Sequence, residues 1–137
     1  MANVNDFNAK IIDEFRANGG KVTCMFENAP LLLLTTTGAK SGQKRTNPLA
    51  YTVDGDDIVI IASKAGAPTN PDWFHNLVAN PIVTVELPDE TFEARARVTE
   101  EPERERRFRA QAALMPGFND YEAKTTRKIP VVVLERV

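Results

Sequence analysis

Three patterns of apolar and polar positions divide this chain. Leu31–Thr37 is an unbroken apolar and β-branched run, which predicts a buried strand. Thr91–Val98 alternates instead, with Phe92, Ala94, Ala96 and Val98 set against Glu93, Arg95 and Arg97, as a half-exposed strand does. Residues 5–18 repeat every four positions through Phe7, Ile11 and Phe15, which share one face of a helix, and Gly19-Gly20 closes it.

Turn residues place the other elements. Gly38–Lys44 reads as a turn, and strand character returns from Arg45 to Val53. Pro48 within that run demands an edge position or a bulge. Asp54-Gly55 signals a tight turn into a strand over Ile58–Ala62. Asn70-Pro71 opens a short helix, roughly Pro71–Ala79, with Asn70 as cap and Pro71 in the first position. Ile82–Leu87 and Thr91–Val98 form a hairpin around Pro88-Asp89-Glu90. Thr99 caps a helix from about Glu100 to Leu114, whose mixed-charge ERERRFRA stretch reads as a solvated face. A loop with a short helix covers Pro116–Lys128, and Pro130–Val137 is the last strand. The expected fold is mainly β with helices (α+β): about six strands, mostly antiparallel because their connections are short, and about three helices in one small barrel domain over residues 1–137.

Composition narrows the function. With 42% hydrophobic residues in 137, the chain can bury a core without staples. The single Cys24 can make no internal disulfide, and the N-terminus lacks the basic start and apolar run of a signal peptide, so a cytoplasmic location is expected. The longest apolar stretch, Pro30–Leu34, is too short to span a bilayer, which leaves at most peripheral membrane contact. A net charge of −2 gives no reason to expect nucleic acid. The charge is uneven, however: Thr35–Val53 holds Lys40, Lys44 and Arg45 and, before Asp54, no acid. A local basic loop on an acidic chain suits a compact anionic ligand.

Three segments could carry chemistry. In GAKSGQKRTNP, residues 38–48, lysine point charges and an arginine fork flank glycines that let backbone N–H groups approach an anion; the spacing is not that of a P-loop. In ASKAGAPTNPDWFHN, residues 62–76, small side chains would let a flat ring lie against backbone, next to a helix start that favours anions. In residues 115–130, Phe118 and Tyr121 stand in a loop of the sort that lines pockets. Each also has a plain structural reading: a solvated basic turn, a connection anchored by Trp73, and a loop anchored by Phe118. His75, the one histidine, reads as a helix surface residue, and a histidine-based metal cluster is excluded. Charges and aromatics without acid–base machinery imply that a cofactor supplies the chemistry.

Together, LLLLTTTGAKSGQKRTNPLAY, ASKAGAPTNPDWFHNLVANP and DYEAKTTRKIPVVVLE resemble the F420-dependent nitroreductase and quinone-reductase family, flavin/deazaflavin oxidoreductases built on a split β-barrel. The resemblance spans roughly residues 30–137 and implies coenzyme F420 as cofactor and hydride transfer to a small-molecule acceptor: a nitro compound, a quinone or a conjugated enone. It also implies that Lys40, Ser41 and Arg45 hold the phosphate and glutamyl tail, and that Asn47, Pro48, Leu49 and Ala50 line the deazaflavin. Ala62, Ser63 and Lys64 would contact the ring from a neighbouring strand end, while Asp72, Trp73, Phe74 and Asn76 close the site. Ser63 and Tyr121 are the candidate hydrogen-bond or proton donors, and Ala50, Met115, Phe118 and Tyr121 the acceptor-side residues. Nitroimidazole-activating members carry tyrosine at the positions of Ala50, Met115 and Phe118, so the chain looks closer to the branch reducing enone lactones such as coumarins and aflatoxins. Alternatives are an FMN enzyme on the same barrel, a non-catalytic F420-binding protein and a small oligonucleotide-binding barrel. The chain would act as a monomer or homodimer.

Overall fold

The computed structural model describes residues 4–17, 31–63 and 69–137, and the side chains of the first helix from Ala9 onward. The predicted roles of the Phe7 side chain, Gly19-Gly20, Cys24 and Lys64 lie outside the described residues. The elements run α1 (Val4–Ala17), β1 (Leu31–Thr37), β2 (Lys44–Ala50), β3 (Thr52–Asp54), β4 (Asp57–Ile61), α2 (Asp72–Ala79), β5 (Ile82–Leu87), β6 (Glu90–Val98), α3 (Glu103–Leu114), α4 (Gly117–Ala123) and β7 (Val131–Arg136). The strands make one antiparallel sheet in the order β2-β1-β5-β6-β7-β4-β3. The expected α+β split barrel is therefore present, with seven strands instead of six and four described helices instead of three.

The extra strand comes from the run read as Arg45–Val53, which breaks at Tyr51 into β2 and β3. These neighbours in sequence are opposite edges of the sheet. Two residues apart, Ala50 and Thr52 can be separated by no more than about 7 Å. The sheet must therefore curl until its edges approach, which makes it a half-barrel. Pro48 sits on the edge strand, as its missing N–H requires. The β3–β4 hairpin turns through Gly55, whose φ of 64° is open to glycine at little cost.

Alternation along the strands sorts the core. Leu32, Leu34, Ile58, Ile60, Ala62, Val83, Val85, Ala94, Ala96, Val132 and Leu134 point inside the curl, where Trp73 and Leu77 of α2 fill the space. The opposite faces of β4 and β7 (Val59, Ile61, Val131, Val133) pack under Phe108, Ala112 and Phe118 of α3 and α4. The outer face of β1 (Leu31, Leu33) packs under Ile11 and Phe15 of α1. Strands β1, β4 and β7 are covered on both sides and so read as unbroken apolar runs, whereas β5 and β6 alternate.

Three local expectations are corrected. Asn70 does not cap α2: Pro71 occupies the cap position, and Asn70 Oδ1 accepts a hydrogen bond from Arg127 instead. Thr99 does not cap α3, which begins at Glu103; its hydroxyl donates to the Val131 carbonyl and joins β6 to β7. The arginines of α3 do not form a merely solvated face. Arg104 and Arg107 are buried, at 7% and 8% exposure. Arg104 reaches Glu101, Glu105 and the Ile129 carbonyl, while Arg107 spans Glu103, Asp54 and Asp57 and so ties α3 to the β3–β4 turn.

Glu103 accepts from both Arg97 and Arg107, at 2.8 Å in each case. These bonds hold its carboxyl at about 2, below the usual 4.5. A carboxyl depressed by folding stabilises the native state fully above its unfolded value, and the contribution fades as pH falls towards the folded one. Glu103→Gln should therefore be less stable than the parent at neutral pH, and the gap should close between pH 4.5 and about 2. Urea unfolding across that window tests this; a gap independent of pH would contradict it.

Candidate functional site

Where β1 turns into β2, six residues bridge the last strand pair, Thr37–Lys44. The turn is closed by Gly38 N–H to Gln43 O at 2.8 Å and Gly42 N–H to Gly38 O at 3.0 Å, with Gly42 at φ 72°. Ser41 Oγ accepts from the Gln43 amide at 3.1 Å. Gly38 allows this packing: a Cβ there would lie 2.5 Å from Ser41 Oγ. Gly38→Ala should force the hydroxyl away from Gln43 and cost about 1 kcal/mol, the net worth of one such bond. Pairing it with Ser41→Ala should recover part of that cost. Denaturant unfolding of the four-member cycle measures the coupling, and strictly additive costs would reject it.

The helix α2 is fastened to this turn. Asn76, 9% exposed, donates from Nδ2 to Thr36 Oγ1 at 3.1 Å and accepts at Oδ1 from the Ala39 amide at 3.0 Å. Asn80 Nδ2 donates to the Thr37 carbonyl at 3.3 Å. Between the turn, β2, α1 and α2 lies a cleft of about 1050 Å³, with Ala9 and Ile12 from α1 and Asp72, Trp73, His75 and Asn76 from α2 on its walls. It wraps the free edge of β2. Lys44 and Thr46 oppose Thr37 and Thr35 on the α1 side, while Arg45 and Asn47 oppose Thr36 and Leu34 on the side of α2.

The electrostatics are one-sided. Among the described residues, Lys40, Lys44 and Arg45 line the cleft against one carboxylate, that of Asp72. Lys44 Nζ donates to the Thr37 hydroxyl and Arg45 Nη2 to the Gln43 amide oxygen, both neutral groups. Among the described residues none of the three cations has an ion pair, whereas Arg97, Arg104, Arg107 and Arg109 are all paired. Trp73, 6% exposed, is rooted in the interior core and reaches the cleft wall beside these charges.

The structure thus gathers Lys40, Ser41, Arg45, Asn47, Asp72, Trp73 and Asn76 of the sequence-predicted set around one cleft. Pro48 is buried and Ala50 half-buried further along β2; Leu49 and Phe74 pack against the interior core, to which Ala62 belongs. Ser63 is buried at the end of β4. Met115, Phe118 and Tyr121 join the cluster of α3 and α4 beneath β4 and β7, away from the cleft walls, with the Phe118 and Tyr121 rings edge to face at 5.6 Å. Sequence reasoning missed Ala9, Ile12, Thr46 and His75 as wall residues. Lys44 was visible in the basic run; nothing in the sequence announces that α1 folds back over β2.

On a curled antiparallel half-barrel, the described residues thus form a cleft whose cations have no ion pair among them, a site suited to an anionic ligand. The family model of the F420H(2)-dependent quinone reductases matches residues 9–136, and the chain belongs to that family. It is an F420-dependent reductase, with coenzyme F420 as its cofactor. It is 39% identical over 126 residues to the F420H(2)-dependent quinone reductase Rv1261c of Mycobacterium tuberculosis (strain ATCC 25618 / H37Rv), which covers 89% of this chain and 85% of that one. Among solved structures it is similar to an F420-H2 dependent reductase (FDR-A), at 40% identity and TM-score 0.71 over 77% of this chain and 94% of that one. It is also similar to a chain described as a domain-swapped dimer, at 34% identity and TM-score 0.73 over 97% and 100%. Among the described residues no helix is long and apolar enough to cross a membrane, and no cluster of His, Cys, Asp or Glu could hold a metal.

Proposed function

We propose that this chain passes a hydride from reduced F420 to a quinone-like acceptor, with the cofactor held in the cleft at the free edge of β2. The observation that carries this reading is the convergence on one cleft of Lys40, Lys44 and Arg45, none of which has an ion pair among the described residues. That donor set fits the group's anionic tail: point charges and a guanidinium fork for phosphate and carboxylates. Lys40, Ser41 and Arg45 bind the anionic tail, while Asn47, Asp72 and Trp73 orient the ring end. When bound, the reduced deazaflavin supplies the hydride. The protein's part is to exclude water and set the approach of the acceptor, with Ser63 as the candidate donor to developing charge; Tyr121, in the outer cluster, does not line the cleft.

Quinones lead as acceptors because both the family and the relative Rv1261c are described by quinone reduction. Enone lactones remain a proposal resting on Ala50, Met115 and Phe118, of which the last two pack in the outer cluster and lend the cleft no added width. The relative described as a domain-swapped dimer favours a homodimer, which light scattering can check.

The test is a titration of the purified chain with F420 and with FMN, followed by turnover of reduced F420 against a quinone, a coumarin and a nitroimidazole. F420 binding in preference to FMN, with fastest turnover of the quinone, is the expected result. Tight FMN binding without F420 binding would overturn the cofactor site. Tight F420 binding with no turnover of any acceptor would replace a reductase by a sequestering protein.

A further inference from the structure

One residue of the tail segment TTRKIP reaches the cleft's supports without belonging to its walls. Arg127, half-buried between α4 and β7, donates from Nη2 to the Ser63 carbonyl at 2.7 Å and from Nη1 to the Ala62 carbonyl at 3.2 Å. The same Nη1 donates to Asn70 Oδ1 at 2.8 Å. Ala62 and Ser63 follow the end of β4, and Asn70 leads through buried Pro71 into Asp72 and Trp73, the first residues of α2 and part of the cleft wall. The backbone repeats the join, since the Ala62 amide donates to the Pro130 carbonyl at 2.9 Å.

We infer that Arg127 is a positioning residue for the cofactor cleft: its guanidinium holds the end of β4 to the lead-in of α2 and so fixes where Asp72 and Trp73 stand. This rests on the reading of the cleft as the F420 site. The helix has no side-chain N-cap, and the asparagine that would serve as one is held by Arg127. Its entry is therefore set by this contact, and its far half by Asn76 and Asn80. A planar fork with several fixed N–H directions can serve three acceptors at once; a lysine ammonium carries the charge but not the geometry.

That difference makes the inference testable. Arg127→Lys, Arg127→Ala and Asn70→Ala are compared with the parent in two ways: amide hydrogen exchange of the cofactor-free chain, and F420 binding followed by cofactor fluorescence. The expected result is faster exchange in residues 72–76 in all three variants, with β5 and β6 unchanged. F420 affinity should fall about tenfold in both Arg127 variants and less in Asn70→Ala, with the salt dependence of binding kept, because the cations of the cleft are untouched. Full rescue by lysine would overturn the inference in favour of charge alone. Parent-like exchange and affinity in Arg127→Ala would overturn it outright. Should Arg127→Ala unfold, seen as rapid exchange in β5 and β6 as well, Asn70→Ala decides: parent-like behaviour there rejects the positioning role. A parent chain that fails to bind F420 refutes the cofactor site itself and leaves the exchange comparison to judge the contact.

Discussion

Replacing Lys40 and Arg45 together by alanine should weaken F420 binding by about a hundredfold and flatten its dependence on salt. Both side chains line the cleft, and neither has an ion pair among the described residues. In the free protein they are exposed, where an ion contact is worth only ~0–1 kcal/mol. Once a ligand anion displaces water, each becomes a charge-assisted bond of ~1.5–3 kcal/mol. Two bonds at the lower figure give about 3 kcal/mol, or roughly a hundredfold. Each single variant should lose about tenfold. Arg106, exposed on α3 and outside the cleft walls, supplies the control for a change of net charge. Arg106→Ala should bind as the parent does. Titration at two ionic strengths measures both quantities, and parent-like affinity in the double variant would reject the electrostatic account.

The second large effect is expected at Asn76. Its amide is engaged within the protein at both nitrogen and oxygen, by Thr36 Oγ1 and the Ala39 N–H, so it holds the two walls of the cleft together. Asn76→Ala leaves the wholly buried Thr36 hydroxyl without this donor and the Ala39 N–H without its acceptor. Thr36 is buried, so its stranded hydroxyl costs about 1–3 kcal/mol, whereas the exposed Ala39 N–H can turn to water. F420 affinity should fall as well, since the turn bearing Lys40 and Ser41 loses its tie to α2. Asn76→Asp keeps the acceptor for Ala39 but withholds the donor and sets an anion among cations, so it too should bind F420 poorly. Urea unfolding and F420 titration separate the two consequences. Lowered stability with parent-like affinity would make Asn76 a core residue and nothing more.

What could be read from the chain, and what could not, divides by the range of the interactions. The runs LLLL, IVII and VVVL announced strands because burial on both faces leaves its mark at every position. The basic turn and the start of α2 were legible as site segments because each is contiguous and each supplies several wall residues. Asn70 and Thr99 looked like caps because local rules see only neighbours in sequence; Arg127 and Val131, 57 and 32 residues away, compete for the same atoms and win. The arginines of α3 looked solvated for the same reason. Nothing near Arg107 in the sequence reveals Asp54 and Asp57, which the β3–β4 turn brings from 53 and 50 residues upstream. The grouping of Met115, Phe118 and Tyr121 with the cleft came from resemblance, whereas the side of the sheet on which α4 packs is decided by the outer faces of β4 and β7.

The place of β2 at the rim of the sheet has a consequence for the life of the protein at high concentration. A rim strand presents a row of unsatisfied backbone groups on which another chain can add a strand of its own. Here that row runs through Lys44, Arg45 and Pro48. Like charges repel an identical rim on a second molecule, and proline interrupts the ladder that would join them. The side chains that would receive an anion are thus also wardens against strand addition at this rim. Stripping the cleft of charge would trade away solubility along with affinity, and a bound polyanion, by cancelling those charges, would leave Pro48 to guard the rim.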